Sequence, residues 1–144
     1  MFRRFNIRVY GLLIVENALL VSDEYIKGKK ITKLPGGGLE FGEGTRDCLM
    51  REFKEEMDLN IAVLDHFYTT DFFVNSSFDT SSQVISIYYL VKATEPLRFE
   101  ISNTAHNHKN EEGAQSFRWI DLNELKDTDF TLIIDQKVGE MLLK

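Results

Sequence analysis

The chain has 144 residues, 43% of them hydrophobic, and a formal net charge of −6. A chain of this length and composition can bury one core, so we expect a single domain over residues 1–144. The acidic balance argues against a protein that coats duplex nucleic acid, although a metal ion could still bridge carboxylates to an anionic substrate.

The N-terminal residues resemble a secretory signal only weakly. The apolar run at residues 11–15 ends at Glu16, which makes it shorter than the apolar core of a signal peptide. No stretch approaches the length of a membrane span. A single cysteine, Cys48, excludes an intramolecular disulfide and suits a reducing compartment. We therefore expect a cytoplasmic protein without a membrane partner.

The first third of the chain has the composition of strands. Residues 5–15 predict one strand, and a turn at Glu16 and Asn17 leads to a second near 18–22, so that the two form a hairpin. Residues 23–30 are polar and predict a loop. Residues 31–35 predict a short extended segment, because Pro35 disfavours helical backbone at Leu34.

A helix is predicted over residues 45–57. Leu49, Phe53 and Met57 recur at a spacing of four and form one apolar stripe. Thr45 fits the N-cap position, and Asp47 lies near the positive end of the helix dipole.

The second half of the chain predicts further strands and a terminal helix. Strands are expected at 61–74, at 82–94 and at 116–122, and the second of these is apolar on both faces, which predicts a central, buried strand. A helix is expected over 132–144, with Ile133, Ile134 and Val138 on its apolar side. Residues 95–115 show little pattern, and such a stretch in a small domain is usually functional or mobile. This order of elements predicts an α+β fold with a mixed sheet.

Residues 36–56 place five of the nine glycines directly ahead of three glutamates. On a helix, Glu52, Glu55 and Glu56 share one face, where ionised carboxylates repel one another unless a cation lies among them. Mg²⁺ and Mn²⁺ prefer oxygen ligands and commonly bridge to phosphates. The glycines would let the backbone approach such a ligand closely. The alternative for each feature alone is an ordinary loop and a solvated acidic face.

Taken together, these residues resemble the Nudix box, Gly-x5-Glu-x7-Arg-Glu-apolar-x-Glu-Glu-x-Gly-apolar. The positions that fit are Gly37, Glu43, Arg51, Glu52, Phe53, Glu55, Glu56 and Leu59. Asp58 stands where the family has a glycine that closes the helix in a left-handed conformation. The segments LPGGGLEFGE and FRWIDLNEL are also similar to the family. The resemblance implies a Nudix-type α/β/α sandwich around a mixed β-sheet.

The resemblance also implies a metal-dependent pyrophosphohydrolase, which would cleave the diphosphate linkage of a nucleoside diphosphate joined to another group. The cofactor would be Mg²⁺ or Mn²⁺. Its ligands would be the backbone of Gly37 and the carboxylates of Glu52, Glu55 and Glu56.

Two further roles follow from the same resemblance. Arg51 and Glu43 would hold the loop and the helix together by an ion pair. The general base would come either from the box, as Glu55 or Glu56, or from a later loop, where Glu112 is the candidate and Glu111 lies beside it.

Aromatic and histidine residues outside the box allow more than one interpretation. Phe72 and Phe73 could stack on a nucleotide base, although core packing is the more frequent role of such residues. His106 and His108 lie in a polar loop without a neighbouring cysteine, which favours surface histidines over a zinc site.

Three classes of function stay open at this point. The first is the hydrolase, acting on a small-molecule nucleoside diphosphate derivative. The second is a non-catalytic Nudix-fold sensor of a nucleotide or nucleotide sugar, and the third is a domain whose acidic helix binds a structural cation. The intact box glutamates favour the hydrolase, because sensors of this fold usually lose them. Many relatives are homodimers, so a homodimer is expected from the resemblance alone.

Overall fold

The computed structural model describes residues 3–143, which fall into two compact units. The first unit contains residues 3–11 and 36–98, and the second contains residues 12–35 and 99–143. The division falls within the first strand, between Gly11 and Leu12. The single domain over residues 1–144 stays a prediction.

The elements follow the chain in an α+β order. They are β1 (Arg4–Val15), β2 (Ala18–Ile26), β3 (Lys29–Lys33), β4 (Gly36–Gly38), α1 (Thr45–Met57), β5 (Ile61–Thr69), β6 (Ser82–Ala93), β7 (Gln115–Asp121), a 3₁₀ turn (Asp127–Asp129) and α2 (Ile133–Leu142). No helix within residues 3–143 is long and apolar enough to cross a bilayer.

In the first unit, the strand order is β4-β1-β6-β5, and α1 covers one face of these strands. β4 pairs antiparallel with β1, so that Gly37 lies opposite Val9. A Cβ atom on Gly11 would lie 2.8 Å from the ring of Phe53 on α1. Because side chains alternate along a strand, the odd-numbered residues of β1 from Phe5 to Gly11 face the helix.

In the second unit, β2 pairs antiparallel with β7, with β3 and with the end of β1. Glu16 and Asn17 both have positive φ, 50° and 64°, which matches the twist of a tight hairpin turn. The carboxylate of Asp23 is fully buried and accepts hydrogen bonds from Arg118 Nε at 2.7 Å and from the Thr32 hydroxyl at 2.7 Å.

Several predicted elements are confirmed. The helix over 45–57 has the predicted bounds, the hairpin at Glu16 and Asn17 is present, and β6 lies between β1 and β5 in the sheet. Between residues 95 and 114 no strand or helix forms, apart from a single bridge of Ile101 to Phe117.

The polar run 23–30 was predicted to be a loop, which is wrong. β2 continues to Ile26 and β3 begins at Lys29. The polar residues fit strands because they are paired: Glu24 accepts hydrogen bonds from Ser22 and from Lys33. Periodicity alone does not reveal partners that lie on other strands.

Three finer predictions are also wrong. Gly44, not Thr45, is the N-cap of α1, since the Thr45 hydroxyl lies 2.7 Å from the Tyr89 hydroxyl on β6. The strand predicted over 61–74 ends at Thr69, where its pairing with β6 ends. Ile133 is exposed, whereas Ile134 and Val138 are buried. Lys144, included in the predicted terminal helix, lies outside the described residues.

Candidate functional site

The box begins where the glycine strand β4 meets α1. A Cβ atom on Gly37 would lie 2.5 Å from both carboxylate oxygens of Glu52. This separation is far below van der Waals contact, so only glycine lets the Glu52 carboxylate lie against the backbone of β4. The first predicted metal ligand on the loop and the first on the helix are therefore in direct contact.

Arg51 joins the loop to the helix. Its Nη2 donates to Glu43 Oε1 at 2.7 Å and to the Gly38 carbonyl at 3.1 Å, and its Nε donates to Glu43 Oε2 at 3.0 Å. This is a bidentate, charge-assisted pair, which fixes orientation as well as distance. The ion pair predicted between Arg51 and Glu43 is present.

The same guanidinium also lies among the other box glutamates. Arg51 Nη1 is 3.0 Å from Glu52 Oε1, 3.2 Å from Glu55 Oε2 and 3.7 Å from Glu40 Oε1. One positive charge therefore faces four carboxylates, including that of Glu43. The surplus of negative charge is what a divalent cation would complement.

Hydrogen bonding within this network shifts the acidity of Glu43. The side-chain bond from Arg51, together with the Glu40 backbone N–H, lowers the pKa of Glu43 to about 2. Glu43 therefore stays ionised over the whole physiological pH range. Its charge is available to hold Arg51 at the loop.

The remaining box glutamates differ in exposure. The side chain of Glu55 is largely exposed, whereas Glu56 is half-buried and its Oε2 atom is shielded from solvent. Within residues 3–143, no group of three or more His, Cys, Asp or Glu side chains is already arranged around a metal position. The donor set still suits a hard divalent cation, because it consists of oxygen atoms with surplus negative charge beside an open glycine backbone.

Cys48 is buried in α1 and does not have the properties of a nucleophile. Burial, reinforced by Glu43, raises the pKa of its thiol to about 12. At neutral pH the thiolate is essentially absent, and the thiolate is the reactive form. Cys48 is therefore a packing residue of α1.

The predicted later base, Glu112, lies in the second unit. Its Oε1 accepts a hydrogen bond from the Lys27 backbone N–H at 2.6 Å, in the turn between β2 and β3. Lys27 has a positive φ of 47°, so this contact supports a strained turn. Glu111 beside it is exposed. The catalytic role of Glu112 stays a prediction.

The aromatic and histidine candidates differ in how far their side chains are buried. Phe72 and Phe73 are both exposed, so neither is a core residue. His106, expected at the surface, is half-buried, and its backbone N–H donates to Asp23. The Asp23 and Arg118 pair was not predicted from the sequence, because the two residues lie 95 positions apart.

Comparison with known proteins identifies the fold and family. A model of the NUDIX domain family matches residues 4–138. Among solved structures, the E. coli ORF135 protein is similar with a TM-score of 0.72 at 15% identity, over 98% of this chain and 90% of that one.

Two further solved structures are similar over almost the whole chain. The MutT protein of Methanosarcina mazei has a TM-score of 0.71 at 17% identity, over 99% of this chain and 95% of its own. An ADP-ribose pyrophosphatase of Streptococcus suis has a TM-score of 0.63 at 18% identity, over 96% and 87%. The predicted family, hydrolase class and α+β fold are confirmed.

We predict that the Arg51 and Glu43 pair makes stability depend on pH in the acid range. The folded-state pKa of Glu43 is lowered from 4.5 to about 2, so the stabilisation is present above pH 4.5 and is lost as the pH falls towards 2. The melting temperature of the wild type should exceed that of Glu43→Gln at pH 6, and the difference should shrink between pH 4.5 and 2. Glu100→Gln, which removes an exposed carboxylate, is the control. A constant difference across this range would contradict the prediction.

Proposed function

The chain belongs to the NUDIX domain family, and from this premise we propose that it is a metal-dependent pyrophosphohydrolase. Its substrate would be a nucleoside diphosphate linked to another group, cleaved at the diphosphate. The observation that carries the proposal is the contact between Gly37 and Glu52. That contact places a helix carboxylate against an open backbone, with Glu55 and Glu56 on the same face of α1.

The ligands proposed for Mg²⁺ or Mn²⁺ are the carboxylates of Glu52, Glu55 and Glu56 and the backbone of Gly37. A bound divalent ion neutralises phosphate oxygens and lowers the pKa of the attacking water. Arg51 holds the carboxylates of Glu52 and Glu55 close together through Nη1, which reduces their mutual repulsion before any ligand binds.

Two further roles, positioning of the loop and removal of a proton from water, are assigned to glutamates of this chain. Glu43 positions Arg51 and thereby the loop. The general base that takes a proton from the attacking water is Glu55 or Glu56 of the box, or Glu112 of the later loop. Glu112 in that role would have to give up its hydrogen bond to Lys27.

The substrate proposed is a small nucleotide derivative rather than a polymer. The exposure of Phe72 and Phe73 supports stacking on a base, because both rings are accessible to a ligand. The Streptococcus suis relative is named for ADP-ribose, but this chain has no proline between Pro35 and Pro96, and members that act on ADP-ribose typically carry one beyond the box. We therefore rank ADP-ribose as a less favoured substrate than nucleoside triphosphates, sugar nucleotides and dinucleoside polyphosphates. A cytoplasmic location and a homodimer remain part of the proposal.

We predict metal-dependent turnover of one of these substrate classes. The measurement is the release of phosphate and pyrophosphate from a panel of all four classes, with Mg²⁺, with Mn²⁺ and with chelator. Turnover should require a metal, because the carboxylates alone would repel an anionic substrate. If no substrate turns over and a nucleotide still raises the melting temperature, the alternative function, a non-catalytic nucleotide sensor, replaces the hydrolase.

We predict that Glu56→Gln lowers kcat by at least ~100-fold, as expected for loss of one preorganised electrostatic contact. The side chain keeps its size, so the melting temperature should change little. Glu100→Gln is again the control for loss of one charge. Turnover close to that of the wild type in Glu56→Gln would show that this glutamate is not a ligand.

We predict that Gly37→Ala lowers kcat/KM by up to ~100-fold, because a displacement of about 1 Å at a catalytic group can have that effect. The new methyl group must push the Glu52 carboxylate away, but this carboxylate ends a flexible side chain, so the melting temperature should fall only slightly. Gly38→Ala is the matched control, since its Cβ would lie 3.5 Å from the nearest side-chain atom, in Arg8. Equal activity of the two variants would contradict the role of Gly37.

A further inference from the structure

A concave feature of the first unit lies beside the start of β1. It is a cavity of about 460 Å³ between the start of β1 and residues 73–83, a volume typical of small-molecule sites. The residues that line it include Arg3, Phe5, Phe73, Asn75 and Gln83. None of these residues belongs to the box.

The cavity opens where the sheet extends past the helix. Phe5 is an odd-numbered residue of β1, as are Val9 and Gly11, so its side chain projects from the face that carries α1. Val9 is fully buried there, whereas Phe5 is 65% exposed. Gln83 projects from the same face, because Tyr89, also odd-numbered on β6, contacts Thr45 of α1. The helix therefore covers one part of this face and leaves the cavity open on the other.

β1 connects the cavity with the box, because its first residues line the cavity and its middle residues pair with β4. Val9 pairs with Gly37, which contacts Glu52. Four residues of a strand separate Val9 from Phe5, a distance of about 13 Å. A ligand bound in the cavity and extended along β1 would bring its other end to the glycines and Glu52.

The wall formed by residues 75–83 is fixed by hydrogen bonds. Asp79 accepts from the Ser81 backbone and hydroxyl, from the Ser82 hydroxyl and from Arg4 Nη2 at 2.7 Å. The Arg4 backbone N–H donates to the Ser81 carbonyl at 3.1 Å. These bonds join the loop to β1, so the cavity is preformed rather than assembled by its ligand.

The lining combines two exposed rings with two amides and the two arginines Arg3 and Arg4. Phe73 is 68% exposed and lies with Phe5 on the cavity wall, whereas Phe72 does not line it. Asn75 and Gln83 face each other in an antiparallel bridge, so their amides project on the same side. Aromatic rings stack on the face of any base, and amide groups can both donate to and accept from its edge.

We propose that this cavity binds the base of the nucleotide, with Phe5 and Phe73 stacked against the ring and Asn75 and Gln83 hydrogen-bonded to its edge. The proposal rests on the proposed function, since it names the part of the substrate that the chain recognises away from the diphosphate. The proposal assigns base stacking to Phe73 rather than to Phe72. It also makes Phe5, near the N-terminus, a second residue that determines specificity.

The test measures binding without turnover. Calorimetric titrations in chelator would use AMP, GMP, CMP and UMP, with ribose 5-phosphate as a probe that has the sugar and phosphate but no base. Phe5→Ala and Phe73→Ala should each weaken the best-bound monophosphate by ~10-fold or more, as expected for the loss of one stacking ring, and should leave ribose 5-phosphate unaffected. Ile133→Ala, which removes a similarly exposed apolar side chain from α2, should bind like the wild type.

Three results would overturn the proposal: no binding of any monophosphate, unchanged affinity in both phenylalanine variants, or an equal loss for ribose 5-phosphate. Gln83→Ala gives an independent check, because it should change the order of preference among the four bases without removing a ring. These outcomes are separate from the hydrolase test. If the wild type binds a monophosphate but shows no turnover, and the phenylalanine variants lose that binding, the cavity is supported and the hydrolase is rejected. Unchanged KM values in active phenylalanine variants would reject the cavity and keep the hydrolase.

Discussion

The guanidinium of Arg51 is the interaction on which the candidate site depends. It binds Glu43 through two hydrogen bonds and the Gly38 carbonyl through a third, and its remaining nitrogen faces Glu52 and Glu55. A carboxylate cluster of this density would otherwise repel itself and destabilise α1. Arginine suits this position because its planar fork can hold several acceptors in fixed directions, which a lysine cannot do. The loop and the helix are thus positioned as one piece by a single side chain.

A steric constraint at Gly37 complements this charge network. The Glu52 carboxylate occupies the space that any other residue at position 37 would need for its Cβ. Arg51 attracts the Glu52 carboxylate on one side, and on the other side the absence of a side chain at Gly37 leaves room for it.

The C-terminal end of α1 is fixed by Asp58. This residue adopts the left-handed conformation, φ 50° and ψ 42°, and its N–H donates to the Lys54 carbonyl. Lys54 also pairs with the Asp58 carboxylate at 2.8 Å, which helps an aspartate stand where glycine is usual.

The second unit has its own buried charge. Burial raises the pKa of Asp23, but hydrogen bonds from Arg118, Thr32 and the His106 backbone outweigh this and hold the pKa below its ordinary value. Removing Arg118 would leave the fully buried Asp23 carboxylate without this compensating charge, which is far more costly than losing an exposed pair. Through His106, the same carboxylate fixes one point of the long segment that carries Glu111 and Glu112. Glu112 fixes a second point at Lys27.

The sequence by itself determined the features that depend on neighbours along the chain. The four-residue apolar spacing predicted α1 with its observed bounds, the box spacing placed three glutamates on one face, and position 58 was expected to be left-handed. Only the tertiary structure decided which charge lies among those glutamates, that the polar run 23–30 is strand, and that Phe5 and Phe73 share one cavity. Helix periodicity and turn geometry arise from local backbone sterics, whereas the surroundings of Glu24 and Phe5 are set by strand pairing between segments that are distant along the chain.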